Sequence, residues 1–216
     1  MFTDIAPRYD LMNRLMTGGQ DVRWRREAIA RARLLPGACL LDLGAGTGDL
    51  AREALRQQPA ARVVAADLTL AMMQRAQADS GVQWSAADAR RLPFPDQAFD
   101  AVVSGFLMRN VGDVRPVLAE QCRVLKSGGR VVVLDTTRPQ PNLLSPFIWA
   151  HLHLVIPFLG GLISGFRGAY TYLPDSTEGF LWAEDLAARM TDAGFRQVGF
   201  RRLMFGTIAI HWAERP

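Results

Sequence analysis

A chain of 216 residues is long enough for one α/β domain with additions at its edges and short for two full domains. Its 49% hydrophobic content and mean hydropathy of +0.04 supply a sizeable core. The formal net charge of +4 is nearly all arginine, Lys126 being the only lysine, and the chain has no run of five or more basic residues, which argues against a nucleic-acid partner. Cys39 and Cys122 belong to no CxxC pair, so neither a disulfide framework nor a metal knuckle is expected, and no metal is predicted. Asp4, Arg8 and Asp10 interrupt any apolar region at the start, so no signal peptide is read there and reduced cytoplasmic thiols are the expectation.

Residues 1–33 carry a helical pattern. Tyr9, Leu11, Met12, Leu15 and Met16 form apolar faces, Gly18-Gly19 breaks them, and a second helix over 21–34 sets Val22, Trp24, Ala28 and Ile29 opposite its arginines. Pro36-Gly37 ends it. Regular alternation follows, with strands at 38–43, 62–66, 82–86, 99–104 and 130–134. Helices at 49–58, 70–78 and 114–124 separate them, with turns at 92–96 and 127–129. Strands spaced by helical stretches of this length build right-handed βαβ units and a parallel sheet. Residues 143–166 are the longest apolar stretch, nearly the length of a membrane span, but Pro146, Pro157, Gly160-Gly161 and two histidines break it. It reads as bent helices that lie on, or dock into, an apolar surface. A helix at 183–193, stopped by Gly194, and a β-hairpin pairing 197–203 with 207–212 close one edge of the sheet.

The organising stretch is LLDLGAGTGDL, residues 40–50. It reads as a buried strand, a tight turn of Gly44, Gly46 and Gly48, and a helix opening at Asp49. Glycine allows positive φ and close approach of a ligand to the main chain, and the first helical N–H groups are left without intrahelical partners. A nucleotide-like ligand at the carboxyl end of the first strand follows. A nicotinamide site prefers G-x-G-x-x-G, and here the third glycine is replaced by Asp49. A carboxylate there is poorly placed beside a pyrophosphate and well placed beside an ammonium or a neutral ribose. Asp67 ends the second strand about twenty residues past the last glycine, the spacing at which an acid meets ribose hydroxyls. Asp88, just after the third strand, can accept a hydrogen bond from an adenine amine across the sheet end.

LDLGAGTGDL, the acid in AADLT, the segment DARRLPFPDQAFD at 88–100 and RVLKSGGRVVVLD at 123–135 resemble a class I S-adenosylmethionine-dependent methyltransferase. More narrowly, FTDIAPRYDLMNRLMTGG at 2–19, FLMRNVGDV at 106–114, YTYLPDST at 170–177 and FGTIAIH at 205–211 resemble the menaquinone and ubiquinone biosynthesis C-methyltransferases. The resemblance covers essentially the whole chain. It implies a Rossmann-like α/β fold with a mostly parallel seven-stranded sheet, helices on both faces and a C-terminal antiparallel hairpin. One domain spans 1–216, with an N-terminal helical cap at 1–35 and an apolar helical insertion at 139–180 before the sixth strand. It further implies that Thr47, Asp67, Leu68, Asp88 and Ala89 contact S-adenosylmethionine beside Gly44, Gly46 and Gly48. The family's remaining contact, usually serine, falls on Gly105, and Leu107 stands where the family has glycine.

Such enzymes methylate a ring carbon of demethylmenaquinol or a methoxy-polyprenyl-benzoquinol. The resemblance implies a catalytic Arg109-Asn110 pair with Tyr9. Arginine is an improbable proton acceptor because its pKa lies far above working pH, so Arg109 is assigned to phenolate stabilisation, Asn110 to orientation and Tyr9 to capping the site. Asp135, His151 and His153 are candidate proton acceptors. A prenylated quinol is the expected substrate, and 143–166 is expected to form a prenyl groove or a membrane-resting lid, with Arg23, Arg25 and Arg26 near anionic lipid at the inner membrane surface. A homodimer is one assembly compatible with this reading. Competing readings are a methyltransferase for another small molecule or tRNA, a non-catalytic scaffold subunit, and a nicotinamide oxidoreductase.

Overall fold

The computed structural model describes residues 17–74, 76, 81–140 and 179–216. Tyr9, His151, His153 and the greater part of the 139–180 insertion fall outside the described residues. The first described helix, α1 (Gln20–Ala32), carries Asp21 in its first turn and buries Trp24, Ala28, Ile29 and Ala32 at helical spacing. Val22 is only half-buried; the helix turns Asp21 inward instead.

Seven strands form one sheet: β1 (Cys39–Leu43), β2 (Arg62–Asp67), β3 (Val82–Ala86), β4 (Phe99–Gly105), β5 (Leu125–Thr136), β6 (Arg196–Leu203) and β7 (Ile208–Glu214). Their spatial order is β3-β2-β1-β4-β5-β7-β6. Strands β1 to β5 pair in parallel, and β7 runs antiparallel to both β5 and β6. The chain steps outward from β1 to β3, then returns to β4 on the other side of β1. That reversal opens a crevice at the carboxyl ends of β1 and β4, where open α/β sheets bind their ligands.

The sheet has a core on each face because successive strand residues point to opposite sides. Leu41, Leu43, Val131 and Val133 pack on one face with Val117 and Leu118 of α4 (Val114–Val124) and Leu186 and Met190 of α5 (Ala183–Asp192). Leu40, Val132 and Leu134 pack on the other with Trp24 and Ile29 of α1 and Leu50 and Ala54 of α2 (Asp49–Gln57). Each fully buried leucine contributes roughly 1.5–3 kcal/mol. These two layers hold the crevice rigid from below.

Two local expectations change. The turn read at 127–129 is absorbed into β5, whose register with β4 slips between the Phe99–Leu125 and Ala101–Arg130 pairs. The helix read at 70–78 is α3 (Leu70–Met73), a single turn as far as it is described.

Candidate active site

The glycine turn leaves β1 and folds back on the end of β2. Gly44 N–H and Ala45 N–H both donate to the Ala66 carbonyl, at 2.8 and 3.1 Å. Gly44 sits at φ 69°, and a Cβ built on it would lie 2.8 Å from Leu107 Cδ1. Glycine at 44 is therefore what makes room for the leucine that replaces the family's glycine at 107.

A cavity of about 320 Å³ follows, lined from four strand ends: by Gly44 and Gly46 after β1, Asp67 and Leu68 after β2, Asp88 and Ala89 after β3, and Gly105 and Asn110 after β4. Nearly all the residues expected to hold a cofactor thus meet in one place. Thr47 lines an adjoining smaller chamber instead, and Gly48 lines neither. The sequence reading missed Met72, Arg90, Phe106 and Val111, which also line the cavity. None of them follows a motif; they arrive there through the topology.

Asp67 holds the turn and the next loop together. Its Oδ2 accepts from Gly46 N–H at 2.8 Å and its Oδ1 from Thr69 N–H at 2.7 Å. A carboxylate offers about four lone-pair sites, so two stay available for ligand hydroxyls. Asp88 is bound by its neighbour: Arg90 donates from Nε at 3.0 Å, from Nη2 at 2.7 Å and from its backbone N–H at 2.9 Å. Those bonds hold the Asp88 carboxyl down to about 2. Asp88 is about one-third exposed and stays open to the cavity.

The helix start behaves differently from expectation. The Ala51 N–H of α2 donates to Asp42 Oδ2 at 2.9 Å, so this N–H faces the buried strand carboxylate and no ligand. Asp49 is gripped by Arg52 and, at 2.9 Å, by Arg25 Nη2. Arg25 also pairs with buried Asp21 and is 12% exposed, so it turns into the protein and is not one of the outward arginines suited to lipid. Arg23 and Arg26 remain exposed.

On the β4 side, a 3-10 turn (Met108–Asn110) carries the predicted catalytic pair. Asn110 reaches the cavity wall and donates from Nδ2 to the Phe106 carbonyl at 2.8 Å. Arg109 does not line the cavity. Its side chain is 8% exposed and pairs at 3.4 Å with Asp135, which is 1% exposed, while its Nε is buried without a hydrogen-bond partner. Asp135 also accepts from Met108 N–H at 2.7 Å, Thr136 N–H at 2.8 Å and Arg109 N–H at 3.4 Å. Burial pushes its carboxyl up, against the pull of the Arg109 guanidinium. Phe106 adopts φ 57°, unusual for a bulky residue, so backbone strain borders the site. Gly105 departs from the family's serine for a packing reason: a Cβ there would lie 2.9 Å from Leu50 Cδ1.

A doubly wound sheet with this strand order, a glycine turn after β1 and an acid after β2 is the class I methyltransferase architecture. It superposes with TM-score 0.70 on phosphoethanolamine N-methyltransferase 2 of Haemonchus contortus, solved with S-adenosyl-L-methionine, at 15% identity over 100% of this chain and 60% of that one. The ubiE/COQ5 methyltransferase family matches residues 1–215, and the chain belongs to that family. It is 47% identical to the ubiquinone/menaquinone biosynthesis C-methyltransferase UbiE of Desulfotalea psychrophila, over all of this chain and 89% of that protein. It is also 47% identical to the demethylmenaquinone methyltransferase of Thermus thermophilus, over the full length of both.

Proposed function

We propose that this protein transfers a methyl group from S-adenosylmethionine to a ring carbon of a prenylated quinol, with demethylmenaquinol as substrate and menaquinol as product. The observation that carries the reading is one cavity with Asp67 and Asp88 on the β2–β3 side of the glycine turn and Asn110 on the β4 side. S-adenosylmethionine supplies an electrophilic methyl group on a positively charged sulfur.

Asp67 accepts from ribose hydroxyls through its two remaining lone-pair sites, and Asp88 accepts from the adenine amine. Gly44, Gly46 and Gly105 present main chain without side-chain bulk. The acceptor carbon becomes nucleophilic when a neighbouring ring hydroxyl loses its proton; the new C–C bond then forms as the C–S bond breaks, and the ring proton leaves last. Asn110 orients that hydroxyl, Arg109 supplies positive charge beside the developing phenolate, and Tyr9 caps the site. Arginine carries five N–H donors, so the bond to Asp135 leaves others for this task.

Anaerobic incubation with labelled S-adenosylmethionine and each reduced prenyl quinol tests the assignment by mass spectrometry. Demethylmenaquinol should gain one labelled methyl group on carbon; a protein that binds S-adenosylhomocysteine yet labels neither quinol class refutes the substrate. A prenyl-tailed quinol resides in the bilayer, so we place the enzyme in peripheral contact with the cytoplasmic membrane face through residues 139–180. Liposome flotation that shows no lipid dependence refutes that contact.

A further inference from the structure

A second chamber, of about 40 Å³, shares Gly44, Gly46, Gly105 and Phe106 with the large cavity, so the two meet at the glycine turn. Its volume suits only a few non-hydrogen atoms. Its wall adds Arg25, Asp42 and Asp49, one guanidinium and two carboxylates. A surface with both signs in so small a space matches a zwitterionic head group better than a sugar, a base or an apolar tail. Asp42 is 1% exposed, and its Oδ1 is buried with no hydrogen-bond partner. An orphaned buried acceptor in a chamber wall is costly unless a ligand group or water meets it.

Arg25 is held in place for such a task. Its Nη1 pairs with Asp21, which in turn accepts from Thr17 Oγ1 at 3.0 Å. Its Nη2 meets Asp49 at 2.9 Å. Asp49 is 26% exposed and has a second cation in Arg52, whose Nη1 also donates to the Thr47 carbonyl at 2.6 Å. Asp49 can therefore release Arg25 and stay paired, and another carboxylate can take its position without leaving either charge alone.

We propose that Arg25 receives the α-carboxylate of the methyl donor's amino-acid tail, replacing Asp49. The inference rests on the donor-site reading above and adds a recognition residue from the N-terminal helix α1, outside every strand-end motif.

The test is calorimetry with two ligands: S-adenosylhomocysteine, and S-adenosyl-3-thiopropylamine, which keeps the nucleoside and amine and lacks only the carboxylate. The intact protein should prefer S-adenosylhomocysteine by roughly tenfold or more, the scale of a charge-assisted hydrogen bond. Arg25→Gln should abolish that preference and leave the affinity for the decarboxylated compound unchanged. A preference that survives the substitution overturns the inference, and so does an equal loss of both ligands, since the residue then shapes the chamber without reading the carboxylate. Should the glutamine variant fail to fold, Arg25→Lys carries the same comparison: a reduced preference supports the assignment and an undiminished one overturns it. Intact protein that binds neither compound refutes the donor-site reading itself, and this inference with it.

Discussion

Asp67 and Asp135 end neighbouring halves of the same sheet and use their oxygens in opposite ways. Asp67, half-buried on the cavity wall, accepts two backbone N–H groups and keeps lone pairs for a ligand. Asp135, almost fully buried behind the β4 loop, accepts three backbone N–H groups and a guanidinium and has no lone pair left to offer. One carboxylate is part of a binding surface, and the other is the anchor of the turn that carries Arg109 and Asn110. Substitutions on the two sides should therefore separate cleanly, affinity changing on one and fold stability on the other.

The largest effect is expected at Asp135. Asp135→Ala strands the Arg109 charge and three N–H groups in a buried place, a loss of roughly 3–5 kcal/mol in urea-unfolding stability. The protein that remains folded should bind S-adenosylhomocysteine as before. A large drop in affinity at constant stability would erase the contrast drawn here. Asp67→Asn should do the reverse. It keeps the shape and weakens the bonds to ribose, so affinity falls by about 1.5–3 kcal/mol while stability shifts by less than about 1 kcal/mol.

Asp42 lies between these cases, and pH separates its contribution. Burial pushes its carboxyl up to about 7, with the Ala51 N–H pulling the other way. An unfolded aspartate titrates near about 4, so between about pH 4 and 7 the folded chain keeps a proton that the unfolded chain has lost. The sign follows: this term favours the fold fully at the acid end and fades as pH rises towards 7, by at most about 1.4 kcal/mol per pH unit. Asp42→Asn keeps an acceptor for Ala51 and should flatten that arm of a stability-versus-pH curve. A slope unchanged in the variant would move the titration to another group.

What the sequence revealed follows the same division. The donor side was legible because glycines and acids at strand ends are local signals: Gly44, Asp67 and Asp88 converge as the spacing implied. The strand order and the antiparallel hairpin were legible through alternation and turn residues. Arg25 was misplaced towards the membrane because its inward course depends on Asp21 and Asp49, one on its own helix and one across the chain. The pairing of Arg109 with Asp135 joins residues 26 apart in sequence, and no periodicity announces it. Met72, Phe106 and Val111 carry no motif and reach the cavity only because β4 returns beside β1. Long-range charge pairing and topology are the parts that a linear pattern does not encode.

The smallest effect is expected at Asp88, and it sharpens the donor side most. Arg90 already engages both Asp88 oxygens and holds the carboxyl near 2, so the group stays ionised across the neutral range. Because the pair is solvent-exposed, its own worth is small and falls with added salt. Asp88 should matter instead through the adenine amine, which only an acceptor can read. Intact protein should therefore prefer S-adenosylhomocysteine over S-inosylhomocysteine, where an oxygen replaces that amine. Asp88→Asn, which can present either an oxygen or an NH₂ group, should shrink the preference roughly threefold to tenfold, with little change in melting temperature. Equal affinity of the intact protein for both nucleosides would leave Asp88 as a turn residue paired to Arg90, and would reduce the carboxylate contacts of the donor side to Asp67.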